Sequence, residues 1–442
     1  MAHRADAVDT DSSFVHPLLL PLHMVIIALS LWVPPFPGRR ELSAVLIVAS
    51  YIPTIRGPVC DNPHLAYGVA SLWGMTIRAL TIHLLSDPDP ERALYRIART
   101  KKGGDRSGAH IEEVHAYGMG WRKLEWICSL MLSPRGGGWN YQIQMAAPSL
   151  QPTHASRRAF AKYLFKRLLM LYVILDACRT FDYMDPKRFM SPELDEQFWT
   201  WSNPYNITIA AVFEATVHGF AARYCIDLNY TVFSALCVFI GGQHPSEWPP
   251  LFGSLADIYR LSYFWGRVWH QLLRTMIAPW GDAVCRVLGV KNKTLVMLSR
   301  VIMGSFLSGV GHAAAVYAVT RGRYGWDSLW YFSVQAVGII FEVAVCEMYR
   351  RLTGGNSKRT EKTEGKEKGK QRDSSGLSWG KVVGYIWVAA WLFYTGQWMW
   401  TDVRRANMGT MEPVPWSVFR WALGWPQSTK EIIAQGYVRQ SG

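Results

Sequence analysis

Residues 301–320 have the sequence VIMGSFLSGVGHAAAVYAVT, and this stretch decides the fold. It contains no Asp, Glu, Lys or Arg, and it has the length of about 20 residues that an α-helix needs to cross a bilayer. The only side chain in it that titrates near neutral pH is His312, about halfway along. Small residues follow one helical face, which lets another helix or a substrate approach closely. These are Gly304, Ser308, Gly311 and Ala315. We therefore predict a membrane-spanning helix with a histidine in its middle.

Comparable apolar runs occur along the whole chain of 442 residues, half of which are hydrophobic. Only 18% are charged, against about 25% in soluble domains. The composition excludes a disordered chain and argues against an ordinary soluble enzyme. It predicts an all-α, polytopic transmembrane bundle of about nine or ten helices around a buried active-site cavity. The other predicted spans or short apolar runs are Leu18–Val33, Leu42–Ile55, Leu65–Leu85, Phe160–Cys178, Ile207–Ala222, Tyr230–Ile240, Leu329–Cys346 and Val382–Trp400.

The net charge of +14 lies largely in the loops between these runs, as cytoplasmic loops of membrane proteins require. Motifs for nucleic-acid binding are missing, so we expect membrane lipids and no nucleic acid as partners. The seven cysteines are scattered without a C-x-x-C pair, which argues against a disulfide scaffold or a metal site.

The predicted spans and loops divide the chain into five segments. These are N-terminal spans (1–85), a cytosolic segment (86–158), a transmembrane core (159–349), a charged disordered loop (350–381), and a last span with its tail (382–442). Alternating orientation then requires an odd number of crossings between residues 206 and 297. Two apolar runs are visible there, so we expect a third crossing or a dip within 246–285, facing protein or water and not lipid.

That segment contains the block FWGRVWHQ at residues 264–271. By composition alone the block is an aromatic belt at the membrane interface, and His312 alone is as easily a structural histidine as a functional one. Ionisable residues within a span are costly and often functional, so both features are candidate parts of one site.

FWGRVWH followed by SGVGH at 308–312 resembles the membrane-bound O-acyltransferase superfamily. The similarity is to its wax-synthase-like branch, with fungal acetyltransferases of terpenoid and meroterpenoid pathways. An earlier RGGGWN element at 135–140 also recurs in the fungal members, while Val268 replaces the second Arg of the family block. The resemblance implies transfer of an acetyl or other short acyl group from acyl-CoA to a hydroxyl of a lipophilic alcohol. It implies an enzyme of the endoplasmic reticulum, with acyl-CoA as co-substrate and no permanent cofactor or metal.

The resemblance assigns the role of general base to His312, because neutral imidazole can remove a hydroxyl proton. His270 would orient the substrate or stabilise the oxyanion. Candidate substrate and acyl-CoA contacts are Phe264, Trp265, Arg267, Trp269, Arg274, Arg135, Trp139, Asn140 and Ser308. Two alternatives remain open: a long-chain wax-ester or sterol-ester synthase, and a transporter with His312 and Glu342 in its path.

Overall fold

The computed structural model describes residues 14–86, 89–97, 118–143, 156–186, 190, 208–352 and 379–434, and in these ranges the regular structure is helical. One isolated β-bridge pairs Arg96 with Trp139. The principal helices are α1 (Leu19–Trp32), α2 (Arg39–Tyr51), α3 (Pro63–Ala70), α4 (Trp73–Leu85), α5 (Trp121–Leu132), α6 (Arg157–Asp182), α7 (Ile209–Phe239), α8 (Arg274–Val287), α9 (Lys293–Val319), α10 (Trp326–Leu352) and α11 (Trp379–Arg405). The predicted all-α class is confirmed.

Three stretches of helix are long and apolar enough to cross a membrane: Pro63–Leu85, α9 and α10. The first comprises α3 and α4, which are separated by a turn at Ser71 and Leu72. Many large apolar side chains elsewhere on the helices are exposed, as expected for surfaces that face lipid. The protein is an integral membrane protein with a helical fold, and the count of nine or ten spans stays a prediction.

Polar residues before the long helices fix where each of them begins. The Asn292 side chain accepts hydrogen bonds from the backbone N–H groups of Thr294 and Leu295, which starts α9. Ser156 and Thr208 do the same for α6 and α7. Each cap satisfies backbone donors that have no partner within the helix.

The runs Ile207–Ala222 and Tyr230–Ile240 belong to one helix, the 31-residue α7. Polar residues between the runs do not end the helix, because they pack against the neighbouring α6. Asp227 is buried and forms an ion pair with Arg167 of that helix. One crossing by α7 already gives the odd number that the orientation requires, so our argument for a third crossing in 246–285 was wrong.

Residues 245–287 instead enter the bundle and return. The backbone N–H of Leu261 donates to Glu342 on α10 at 2.5 Å, and Trp265 Nε1 donates to Gln335 at 3.2 Å. Seven residues along α10 correspond to a descent of about 10 Å. The chain then turns into α8, where Gly281 packs against the backbone of Arg300 near the start of α9. Such irregular backbone is tolerated at membrane depth only when protein buries it, which is the dip that we predicted as the alternative.

Contacts between helix ends show which ends lie together on each of the two faces of the bundle. On one face His64 bonds Thr410, Asp182 pairs with His218, and Arg405 pairs with Asp327. On the other, Arg157 donates to the carbonyl of Gly242. This grouping agrees with the alternation expected from the sequence, although which face is cytosolic stays a prediction.

The described part of the predicted cytosolic segment packs into the bundle. Trp126 and Leu130 of α5 are buried in one apolar cluster with Ile27, Leu31 and Ile82 of α1 and α4. The five-segment division stays a prediction. Its boundary between residues 85 and 86 does not separate two packing units, because α5 packs against α1 and α4. Residues 1–13 and 98–117 lie outside the described residues, as do residues 353–378 of the loop predicted at 350–381. The two ends of that predicted loop are helical, because α10 continues to Leu352 and α11 begins at Trp379.

Replacement of Glu342 by alanine is expected to destabilise the fold, because the buried N–H groups of Leu261 and Ser262 and the indole of Trp387 lose their acceptor. Loss of one partner from such a network costs on the order of 3 kcal/mol. The apparent Tm of detergent-solubilised protein should fall by several degrees. Glu347→Ala on the exposed face of the same helix is the matched control, and equal Tm values for the two variants would contradict the assignment.

Candidate active site

His312 is held by one hydrogen bond and one aromatic ring. Its Nδ1 lies 3.1 Å from the hydroxyl of Tyr67 on α3. The imidazole stacks on Phe332 of α10, with ring centroids 4.4 Å apart and planes 12° apart. The preceding Gly311 is required, because a Cβ there would overlap the indole ring of Trp73. Three helices therefore fix the position of His312.

The FWGRVWH block reaches the same place from the other side of Phe332. Residues Phe264–Val268 form a π-helical turn, a geometry that is common at functional sites. The Trp265 indole lies 5.9 Å from the Phe332 ring and bonds Gln335 one turn further along α10. The structure thus brings the two sequence blocks together, with Phe332 between Trp265 and His312.

His270 lies at the end of this turn against aromatic rings. Its ring is perpendicular to Phe252 at 6.0 Å and lies 5.6 Å from Trp269. Its Nδ1 is buried without a hydrogen-bond partner among the described residues. A neutral imidazole with an unpaired buried nitrogen is a group available to a bound substrate.

Two predicted acyl-CoA contacts, Arg267 and Arg274, are exposed around Gly266. The Arg267 guanidinium covers the Tyr263 ring at 4.1 Å, and Arg274 donates to the Gly266 carbonyl at 3.4 Å. Both side chains thus place a positive charge at the same exposed turn. The arrangement suits an anion.

Arg135 of the RGGGWN element is directed elsewhere. It is 6% exposed, and one of its nitrogens donates to the carbonyls of Pro249 and Pro250 at 3.0 and 3.1 Å. The same nitrogen donates to the Tyr230 hydroxyl at 3.3 Å. The guanidinium therefore holds residues 249–250, before the FWGRVWH block, and its predicted contact with acyl-CoA stays a prediction.

The rest of RGGGWN forms a tight turn. Gly136 and Gly138 have φ of +68° and +78°, where a side chain is strained. A Cβ on Gly137 would lie 2.7 Å from the carbonyl oxygen of Glu247. Trp139 is buried against Trp126. The glycines therefore allow a close approach between this turn and residues 245–250.

Asn140 links the same turn to residues 93–95. Its Nδ2 donates to the Ala93 carbonyl at 2.8 Å, and its Oδ1 accepts a hydrogen bond from the Tyr95 N–H at 3.2 Å. Trp139 and Asn140 thus support the site from a distance, and their predicted substrate contacts have no geometric support. Ser308 lies four residues before His312 on α9, is partly buried, and keeps its predicted role as an expectation.

Glu342 is occupied as an acceptor for Leu261, Ser262 and Trp387. Nothing in this arrangement offers it to a transport path. Sequence reasoning missed Tyr67, Phe332 and Gln335. Gln335 and Glu342 had a signal, since two polar residues seven apart within an apolar span share a helix face. Tyr67 and Phe332 had none, because aromatic residues are common in spans.

The two sequence blocks therefore meet inside a helical membrane protein. Residues 248–334, which contain both blocks, match the model of the membrane bound O-acyl transferase family. Acetyltransferase sirH of Emericella nidulans is 25% identical over 85% of this chain and 80% of its own length. Acetyltransferase ple2 of Rhodocybe pseudopiperita is 26% identical over 86% and 88%. Acetyltransferase TRI7 of Fusarium sporotrichioides is 31% identical over 46% and 43%.

No solved structure is significantly similar to this chain. The chain is similar to the membrane bound O-acyl transferase family over residues 248–334 and to fungal acetyltransferases along most of its length, and it is an O-acyltransferase. This confirms the family resemblance seen in the sequence, and it argues against the transporter alternative.

Substitution of Gly137 by alanine is expected to reduce both apparent Tm and activity, because the new Cβ would collide with the backbone of Glu247. Overpacking of this kind costs roughly 1–3 kcal/mol. Gly219→Ala on α7 is the control, since a Cβ there meets no atom within 4 Å. Normal Tm and activity in Gly137→Ala would show that the close approach is not needed.

Proposed function

We propose that the enzyme transfers an acetyl group from acetyl-CoA to a hydroxyl of a lipophilic secondary metabolite such as a terpenoid or meroterpenoid. The meeting of the two sequence blocks at Phe332 carries the proposal, because one series of aromatic contacts, through Trp269, Trp265 and Phe332, then joins His270 to His312. An acceptor that dissolves in the bilayer reaches such a site without leaving lipid. We place the protein as a multi-pass enzyme of the endoplasmic reticulum.

In this mechanism His312 is the general base. Its Nε2 makes no hydrogen bond within the described residues, whereas Nδ1 is engaged by Tyr67. Nε2 takes the proton of the acceptor hydroxyl while the oxygen attacks the thioester carbonyl. The tetrahedral intermediate then expels the CoA thiolate, which receives the proton from His312. The products are the ester and free CoA, so atoms and charge balance.

His270 supports the oxyanion of this intermediate. A neutral imidazole that carries its proton on Nδ1 offers an N–H with no other acceptor among the described residues. Preorganised donors of this kind stabilise charge that develops in the transition state. The phosphates of CoA are assigned to the exposed Arg267 and Arg274, since arginine pairs well with phosphate oxygens.

A short acyl group is favoured over the fatty-acyl alternative by the relatives, which are named acetyltransferases. Microsomes that contain the protein, supplied with labelled acetyl-CoA and a panel of terpenoid alcohols, test the donor and the acceptor together. Labelled palmitoyl-CoA with fatty alcohols and sterols forms the second arm. Ester formation only in the second arm would replace the proposal by a wax-ester or sterol-ester synthase.

His312→Ala is expected to lower kcat by at least about 10²-fold, which is the usual range of general-base catalysis. Expression and apparent Tm should stay normal, because the side chain makes one hydrogen bond only within the described structure. The exposed His16 provides the control variant, His16→Ala. Near-native turnover by folded His312→Ala protein would overturn the assignment.

Arg267→Gln combined with Arg274→Gln is expected to raise KM for acetyl-CoA by about tenfold or more, because charge-assisted bonds to phosphate are lost. KM for the acceptor should change little. The control is Arg323→Gln, an exposed arginine in the turn between α9 and α10. If KM for acetyl-CoA is unchanged in steady-state assays, the phosphates bind elsewhere.

A further inference from the structure

Tyr67 lies close to His312 because small residues line the contact between α3 and α9. It lies on α3, where it packs with Ala70 against Ala315 and Ala318 of α9. Its hydroxyl reaches the imidazole Nδ1 at 3.1 Å. The two residues are 245 positions apart in the chain, so the contact depends on the tertiary fold. Its position follows from the close packing of α3 on α9.

We propose that Tyr67 is a positioning residue that accepts the Nδ1–H of His312 and thereby leaves the lone pair on Nε2. The inference rests on the proposed function, in which His312 is the base. A neutral imidazole has one donor and one acceptor nitrogen, and the partner of one nitrogen fixes the role of the other. The tyrosine oxygen is the one hydrogen-bond partner of His312 within the described residues.

Stacking on Phe332 does not determine which way the two ring nitrogens of His312 point. A ring that lies parallel to another at 4.4 Å keeps its plane when it turns by 180° about the Cβ–Cγ bond, but the turn puts Cδ2 in the place of Nδ1 and Cε1 in the place of Nε2. The hydrogen bond to Tyr67 favours one of the two orientations. Phe332 therefore fixes the plane of the imidazole, and Tyr67 fixes which nitrogen points to the substrate.

The Tyr67 bond should matter more in the transition state than in the ground state. When Nε2 takes the proton, Nδ1–H carries part of the positive charge, and hydrogen bonds from charged donors are roughly twice as strong as neutral ones. Interactions that strengthen only in the transition state raise kcat without changing substrate binding.

The test is a double-mutant cycle. Tyr67→Phe should lower kcat at least about tenfold, in line with the loss of a bond to a charged group, and leave both KM values within about twofold. In the His312→Gln background the same change should lower the residual rate by less than about twofold, because Tyr67 acts through His312. Tyr51→Phe is the matched control, since its buried hydroxyl has no partner in the described structure.

Equal losses in both backgrounds would show that Tyr67 is merely structural, and unchanged kcat in Tyr67→Phe would also overturn the inference. Full activity of His312→Ala would instead refute the proposed function itself. If Tyr67→Phe does not fold, 3-fluorotyrosine at position 67 keeps the size of the side chain. Its poorer acceptor oxygen should lower kcat, and a rise in kcat would mean that Tyr67 donates to Nδ1.

Discussion

The carboxylate of Glu342 is the contact on which the site depends. It is 7% exposed and accepts hydrogen bonds from the Leu261 N–H at 2.5 Å, the Ser262 hydroxyl at 2.7 Å and the Trp387 indole at 3.2 Å. The segment that it holds has no helix of its own long enough to satisfy its backbone, and backbone groups left unpaired inside a bilayer cost several kcal/mol each. The buried acid is therefore what allows this irregular segment to lie inside the bundle.

The same face of α10 also determines where Trp265 and His312 lie. Gln335 accepts hydrogen bonds from the indoles of Trp265 and Trp391, at 3.2 and 3.1 Å, so it joins the loop to α11. Phe332, one turn earlier, touches both Trp265 and His312. A single helix thus places, over about 15 Å, the contacts of Glu342 with Leu261, of Gln335 with Trp265, and of Phe332 with His312. The two sequence blocks meet because a third element, later in the chain, lies against both.

The sequence predicted the helical class, the family and the two blocks, because apolar runs and local motifs are one-dimensional signals. The sequence suggested two separate apolar runs where the structure has the single helix α7. The polar residues between the runs include Asp227, which pairs with Arg167 on a neighbouring helix, and no local pattern shows that pairing. The sequence also assigned Arg135 to acyl-CoA, whereas the structure places its guanidinium against backbone carbonyls. Arginine next to glycines has the same appearance in a sequence whether it binds phosphate or, as here, the carbonyls of Pro249 and Pro250.

On our proposal, the binding of the donor's phosphates and the proton transfer at His312 need different surroundings, and they take place in different parts of the site. A phosphate-bearing donor needs positive charge, whereas a charge in the low-dielectric interior is costly unless it is paired. Arg267 and Arg274 are exposed at the turn, while the surroundings of His312 are aromatic rings and a tyrosine hydroxyl. A donor whose phosphates stay at the arginines must extend its thioester inward along Trp265 and Trp269 to reach the base. On our proposal, the aromatic block is a passage between a charged binding surface and an uncharged reaction centre, with Arg267 at the exposed end and Trp265 on the side of Phe332 and His312.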